Sequence, residues 1–335
     1  MNTAALRLAA IAFALLPLAA NAEPVKLKLA LFTSDRSEVY LLGIRPFVDA
    51  VNAEGKGVVE IDGYFSGVLG SAQAQQPQLV LNGVADMAVV VPSLTPDRFP
   101  DNTVMELPGL FRDAREATLV HSTLVAENAL RGYEDFFVIG AFATVPDSIH
   151  ARKPIASIGD LKGLKLRTNN PTESAALARL GALPVVIALN QTSDAISSGR
   201  IDGALGPPVM LFEFGISRVT SNHYLLDTSV APLALVMNRK TFDGLPEQAK
   251  SIIRKYSGRW FAERYFEQYA VDNKKSVERL LSDPRRHVVV PARADEEAAE
   301  RAFKAVVDEW AATSARHRNL LSLVTTDLAQ IRSLQ

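Results

Sequence analysis

The chain has 335 residues, with 36 lysines and arginines against 37 aspartates and glutamates, a net charge of −1 at neutral pH and 48% hydrophobic residues. Such a balance offers no global attraction for nucleic acid or anionic lipid, so neither is expected as a partner. Cysteine is absent, which excludes disulfides, thiolate metal sites and cysteine nucleophiles.

Residues 1–22 have the pattern of a secretory signal peptide. Arg7 lies near the start, the apolar run from Leu6 to Leu18 is too short to span a bilayer comfortably, and Ala20-Asn21-Ala22 forms a small-residue cleavage signature. Cleavage there removes Arg7 and leaves 313 residues with a net charge of −2, a length comfortable for two domains. No later apolar run is long enough to cross a membrane, so the expectation is a periplasmic chain with no direct membrane insertion.

The mature chain opens with apolar residues alternating through Lys26 to Phe32, a strand, followed by the polar turn Thr33-Ser34-Asp35-Arg36. A helix is expected from about Ser37 to Asn52, bent at Pro46, then a strand over Val58 to Phe65. Gln73 to Asn82 has helical spacing with Gly83 as its stop, and Ala85 to Val91 is a buried strand. The order β-α-β-α-β predicts a parallel sheet with helices on its faces. Pro92 to Pro108 is a long loop rich in proline, residues 112–131 look helical, and Phe136 to Ala143 is a continuous apolar strand.

A second α/β unit begins near Pro146: strand Leu164 to Arg167, helix Thr172 to Leu180, strand Leu183 to Ile187, helix Gln191 to Ser198 and strand Ile201 to Leu205. Val230 to Met237 is a strand expected to cross back to the first unit. Glu247 to Leu281, free of proline, is expected to be one long helix whose aromatic stripe serves packing. Arg285 to Pro291 reads as a short strand, and residues 294–333 as two amphipathic helices. The expected division is 23–145 plus about 230–335 for the first lobe and 146–229 for the second.

Catalytic and cofactor motifs are missing. The five histidines show no metal-ligand spacing, and there is no dinucleotide fingerprint, phosphate loop or nucleophile elbow. No cofactor or metal is expected, and an enzyme would have to assemble its site from residues distant in sequence. One corner carries a fixed charge. Arg167 ends a short strand just before Thr168-Asn169-Asn170-Pro171 opens a helix, which is where open α/β sheets bind ligands and where free N–H groups favour an anion. From the residues alone, Arg167 is either an anion site or half of a surface ion pair.

The ordered segments Ser66-Gly67-Val68-Leu69-Gly70, Asn82-Gly83-Val84-Ala85-Asp86-Met87, Glu106-Leu107-Pro108-Gly109-Leu110-Phe111, Asp160 to Arg167, Leu180-Gly181-Ala182-Leu183-Pro184 and Ser198 to Gly203 span nearly the whole mature chain. Together they resemble the solute-binding subunits of TRAP transporters, the dicarboxylate-binding-protein family. The resemblance implies an α/β type II periplasmic-binding-protein fold, two lobes closing on a small organic acid, and a long helix after Pro246 bracing both. It implies membrane subunits of a TRAP transporter as partners and places Arg167 at the family's carboxylate-clamping arginine. A partner in sensing in place of transport, or a periplasmic enzyme, are the alternatives.

Two positions depart from the family pattern. Asp147 stands where many members carry a second arginine, and Gly206 where many carry an asparagine. An aspartate facing the pocket would repel a second carboxylate and favour a hydroxyl or amine, whereas one turned outward would carry no such meaning. A monocarboxylate is therefore expected over a dicarboxylate. Leu205, Met210 and Phe212 are either apolar pocket surface or core. Asp35, Arg36, Ser66 and Ser93 sit at strand ends of the first lobe, and Asn238 is expected near the hinge; each is a ligand contact or a turn or cap residue.

Overall fold

Alternation in Val-Lys-Leu-Lys-Leu-Ala builds the first strand, β1 (Val25–Ala30), with Leu27 and Leu29 buried and Lys26 and Lys28 exposed. The computed structural model describes residues 23–334, so the signal-peptide segment lies outside the described residues. After β1 a π-helical stretch, Val39–Ile44, runs directly into α1 (Arg45–Glu54), with Pro46 at the junction. β2 (Val59–Tyr64), α2 (Gln76–Leu81), β3 (Met87–Val90), α3 (Ala114–Ala126) and β4 (Phe136–Ala143) follow. The proline-rich loop before α3 is packed inside, with Phe99, Val104, Met105 and Leu107 buried.

The chain then crosses to a second sheet, through β5 (Ser148–Ala151), β6 (Lys165–Thr168), α4 (Pro171–Arg179), β7 (Leu183–Val186), α5 (Thr192–Ser197), β8 (Gly203–Gly206), α6 (Pro208–Glu213) and β9 (Asn222–Tyr224). It returns with β10 (Pro232–Asn238), α7 (Arg239–Gly244), α8 (Glu247–Lys255) and α9 (Arg259–Ser282), and ends with β11 (His287–Val289), α10 (Arg293–Ala312) and α11 (Ala315–Ser333).

The first sheet has the order β2-β1-β3-β10-β4 and the second β11-β9-β5-β8-β6-β7. β1, β2 and β3 run parallel, and β10 lies antiparallel between β3 and β4. In the second sheet β6, β7 and β8 are parallel and β5 opposes β8. Two short crossovers, residues 144–147 and 225–231, join the sheets side by side. They are tied by Asp147 N–H to Ser229 O at 2.7 Å and by Thr144 N–H to Ala231 O at 3.1 Å.

Three expectations are corrected. The helix after Pro246 is two helices, because Gly258 adopts φ 61°, ψ −121° and donates its N–H to Ile139 O at 2.7 Å, which turns the chain between α8 and α9. Residues 230–335 do not all join the first sheet: β11 pairs in parallel with β9, and Ala299, Phe303 and Val306 of α10 pack into the core with Leu166 and Leu205 of the second. Asn238 is not near the crossovers. The antiparallel register pairs Pro232 with Ala143 at that end and Asn238 with Phe136 at the other, where its side chain caps α7 through Lys240 N–H and Thr241 N–H.

Each sheet is covered on both faces. α9 serves both units: Phe261, Tyr265 and Tyr269 enter the core of the first sheet, and Leu280 enters the core holding Met210 and Ile196. α11 returns to the first sheet through Leu320, Val324 and Leu328. Arg316 at its start reaches the buried Asp101 carboxylate at 2.7 Å, which Arg131 also holds at 2.7 Å. Burial alone would raise the Asp101 pKa; these charge-assisted hydrogen bonds hold it well below the usual carboxylate range.

Candidate functional site

Parallel strands β6 and β8 end side by side, with Leu166 opposite Gly203 and Arg167 opposite Ala204, and antiparallel β5 begins at the same edge, with Ser148 opposite Gly206. Asp147, Arg167 and Gly206 therefore share one carboxyl edge of the second sheet, the edge where α/β proteins hold ligands. The carboxyl edge of the first sheet carries Ser66, Ser93 and the loop with Arg36. Asn170 caps α4, accepting from Glu173 N–H at 2.8 Å, while Glu173 Oε2 accepts from Asn169 N–H at 2.6 Å. Pro171 fits the first turn.

The two edges meet at this helix start. Thr172 Oγ1 donates to Glu106 O at 3.2 Å, and the Glu106 carboxyl lies between the side chains of Ser93 on the first unit and Asn170 on the second. The Asp147 carboxyl lies beside that of Glu173, with Arg167 near both. Arg167 is 3% exposed, Asp147 and Glu173 1% and Glu106 2%. Three acids and one guanidinium are thus shut away from water.

Burial sets their chemistry. It pushes Glu106 up to about 8, with nearby Glu173 adding to the rise against hydrogen bonds from Ser93 and Asn170. Burial and then Glu173 raise Asp147 well above the carboxylate range, and burial raises Glu173 against the pull of Asp147, Asn169 and Arg167. Arg167 is lowered by the same desolvation but stays a guanidinium cation, since arginine keeps its charge in proteins. Its Nε donates to Ile187 O at 3.2 Å, which fixes the plane of the group, and Nη1 is buried with no protein partner. Ser229 Oγ, beside Asp147 on the paired crossover, is likewise buried and unpartnered.

Gly206 is held by close packing on one side and a hydrogen bond on the other. A Cβ there would lie 1.9 Å from Met210 Cε, so the thioether of α6 occupies the space a side chain would need. Its carbonyl accepts from His150 Nε2 at 3.0 Å. Met210 thus forms an apolar wall behind Gly206. Leu205, fully buried with Leu166, and Phe212, stacked under Arg279 at 3.9 Å, belong to packing.

Of the residues singled out in the sequence, the fold gathers Arg167, Asp147, Gly206 and the half-buried Ser93. Arg36 and Ser66 stay exposed in loops of the first sheet edge, Ser66 at a positive φ of 55°. Asn238 lies on the opposite edge. Glu106, Glu173 and Ser229 were missed. Glu173 had a signal, an acid three residues after the Asn170 cap, but that pattern reads as a helix start and not as a site. A groove of about 520 Å³ also opens beside the crossovers, lined by Val145, Pro146, Leu225, Asp227 and Phe266 but not by Arg167 or Asp147. Among the described residues no cluster of three or more acids, histidines or cysteines is arranged to hold a metal ion, and no helix is long and apolar enough to cross a membrane.

The family model described as bacterial extracellular solute-binding protein, family 7, matches residues 32–314. The 2,3-diketo-L-gulonate-binding periplasmic protein of Escherichia coli is 28% identical over 230 residues, 66% of this chain and 69% of that protein. Among solved structures, the fold matches a marine metagenome TRAP solute binding protein specific for aromatic acid ligands, from an unidentified microbe, with a TM-score of 0.86 at 22% identity, covering 92% of this chain and 99% of that one. A TRAP solute binding protein from Rhodoferax ferrireducens, in complex with copurified benzoate, matches with a TM-score of 0.79 at 25% identity, covering 92% and 99%. The two-sheet α/β architecture is therefore that of the TRAP solute-binding proteins, and the chain belongs to family 7 of the bacterial extracellular solute-binding proteins.

Proposed function

We propose that the chain is a periplasmic receptor that captures a small organic acid between its two sheets and delivers it to the membrane subunits of a TRAP-type secondary transporter. The observation that carries this reading is the Arg167 guanidinium, buried at the carboxyl edge of β6 with Nη1 unpartnered, beside the start of α4. A planar guanidinium presents parallel donors to a carboxylate, and in a shielded site each charge-assisted bond is worth about 1.5 to 3 kcal/mol. The benzoate held by the Rhodoferax protein and the sugar acid bound by the Escherichia coli relative support a carboxylate ligand.

The first lobe consists of residues 23–145, 230–282 and α11, and the second of residues 146–229 with β11 and α10. Closure brings Glu106 and Ser93 of one onto Asn170 and Thr172 of the other, and the ligand favours the closed form by binding it more tightly. Residues 1–22 direct export and are removed. Among the described residues Arg167 is the one cation of this cluster, and Asp147 and Gly206 stand at positions where the family resemblance puts polar partners for further acid groups, so the ligand carries a single carboxylate. Calorimetry on Arg167→Ala tests the reading: affinity for the captured acid falls by about 2 to 5 kcal/mol, and an unchanged affinity refutes the clamp.

A further inference from the structure

Around the single guanidinium of Arg167 the fold buries more acid than a plain carboxylate ligand can use. Asp147 comes from the crossover, Glu173 from the first turn of α4 and Glu106 from the loop of the first unit. The Asp147 and Glu173 carboxyls are buried side by side next to Arg167, and two like charges so placed do not both ionise. Asp147 Oδ1 and Glu173 Oε1 are buried with no hydrogen-bond partner, and so is Arg167 Nη1. A cation and an acid pair thus stand next to one another, each with an unused hydrogen-bonding atom.

We infer that the ligand is a zwitterion, a small acid bearing an ammonium group, with its carboxylate on Arg167 and its ammonium on the Asp147 and Glu173 pair. This rests on the receptor reading and names its ligand class. The charge count favours it. Arg167 is one fixed positive charge, and two adjoining acids that do not both ionise carry no more than one negative charge, so a zwitterion enters without adding net charge to the site. A plain or hydroxylated carboxylate brings a second negative charge into a space closed to water, and burying an unpaired charge is costly enough that the site must take up a proton instead. Neutral Glu106, held between Ser93 and Asn170, offers no further positive charge.

The test is calorimetry on the purified protein, freed of ligand by unfolding and refolding, in phosphate and in Tris. The probes are two matched series: alanine, lactate and propionate; phenylglycine, mandelate and phenylacetate. In at least one series the amino acid binds at least about tenfold more tightly than its plain counterpart, with no net proton uptake, whereas plain acids take up about one proton each. In the double variant Asp147→Asn, Glu173→Gln the preference reverses and plain acids bind more tightly without proton uptake, a gain that misfolding cannot imitate. Silence of both amino acids overturns the inference, as does a plain or hydroxy acid that binds the parent protein as tightly as its amino counterpart without taking up a proton. If such an acid loses binding in Arg167→Ala, the receptor reading stands and the zwitterion falls; if the preferred ligand binds Arg167→Ala unchanged, the clamp itself fails.

Discussion

His150 and His223 face one another through their Nδ1 atoms at 3.0 Å inside the second sheet, on paired strands β5 and β9. Their tautomers follow from the neighbours. Arg286 can only donate, so His223 Nε2 accepts from it at 3.2 Å; His223 Nδ1 must then carry the proton and give it to His150 Nδ1, and His150 Nε2–H donates to Gly206 O. The relay ends on the wall of the candidate site.

Both imidazoles are held neutral, His150 down at about 4 and His223 at about 3, by burial above all and by Arg286 nearby. In the unfolded chain they titrate near 6.5, so between that pH and about 4 only the unfolded state gains protons. Stability therefore falls as pH drops through this window, by on the order of 3 kcal/mol for His150. His223→Gln keeps an acceptor for Arg286 and a donor for His150 but cannot titrate. Melting curves from pH 7 to pH 4 are expected to show the parent losing stability relative to this variant; parallel curves would refute the relay.

Gly206 and Met210 compete for one space. Gly206→Ala puts a methyl group on Met210 Cε and is expected to cost about 1 to 3 kcal/mol, the usual penalty of overpacking. Met210→Ala makes room, so the double variant should recover part of that loss. Chemical denaturation of the full cycle checks it, and strict additivity of the two single changes would mean that the residues do not share the space.

Across the mouth between the units, Glu38 N–H meets Glu213 Oε2 at 3.4 Å, and α9 adds Asp272. Burial first, then Glu213 and Asp272, raise Glu38 to about 7. A carboxyl raised in the fold contributes stability that is complete below its ordinary value of 4.5 and is lost as pH rises through about 7. Because Glu38 is only partly buried, screening cuts the effect to roughly 1 kcal/mol. Glu213→Gln should melt higher than the parent at pH 8 and no higher at pH 5.

Gly258 stands in open space, with no atom within 4 Å of a Cβ added to it, so a substitution there tests backbone conformation alone. Gly258→Ala is expected to cost about 1 to 3 kcal/mol because an L-residue resists φ 61°, ψ −121°. Ligand affinity should stay at the parent value, since α9 itself is intact. Denaturation and calorimetry on the same preparation separate the two.

The parallel sheets were legible because Leu27, Leu29 and the all-apolar β3 carry strand periodicity between helices with clear stops. The break at Gly258 was not, because an isolated glycine inside an amphipathic pattern reads as tolerated and only its contact with Ile139 imposes the turn. β5, β9 and α6 are four, three and six residues long, too short for either period to declare itself, and Pro207-Pro208 reads as loop although Pro208 opens a helix. Arg167 was visible from its place between strand and helix. Glu106 and Glu173 were not, since what makes them unusual is burial, and burial here arises where two units distant in sequence meet.

Trp310 near the end of α10 stacks on His317 of α11 with ring centroids 4.1 Å apart and planes within 8°. α10 packs into the second sheet through Ala299, Phe303 and Val306 and against the first-sheet core, beside α11, through Val307 and Trp310, and Glu309 next to the indole pairs with Arg179 at the far end of α4. The chain therefore carries a built-in optical reporter. Stacked on an imidazole and tied to it through Trp310 O and His317 Nδ1, this indole reports through its emission the parting of α10 from α11, while Trp260, beside Tyr256 against the first core, reports that core.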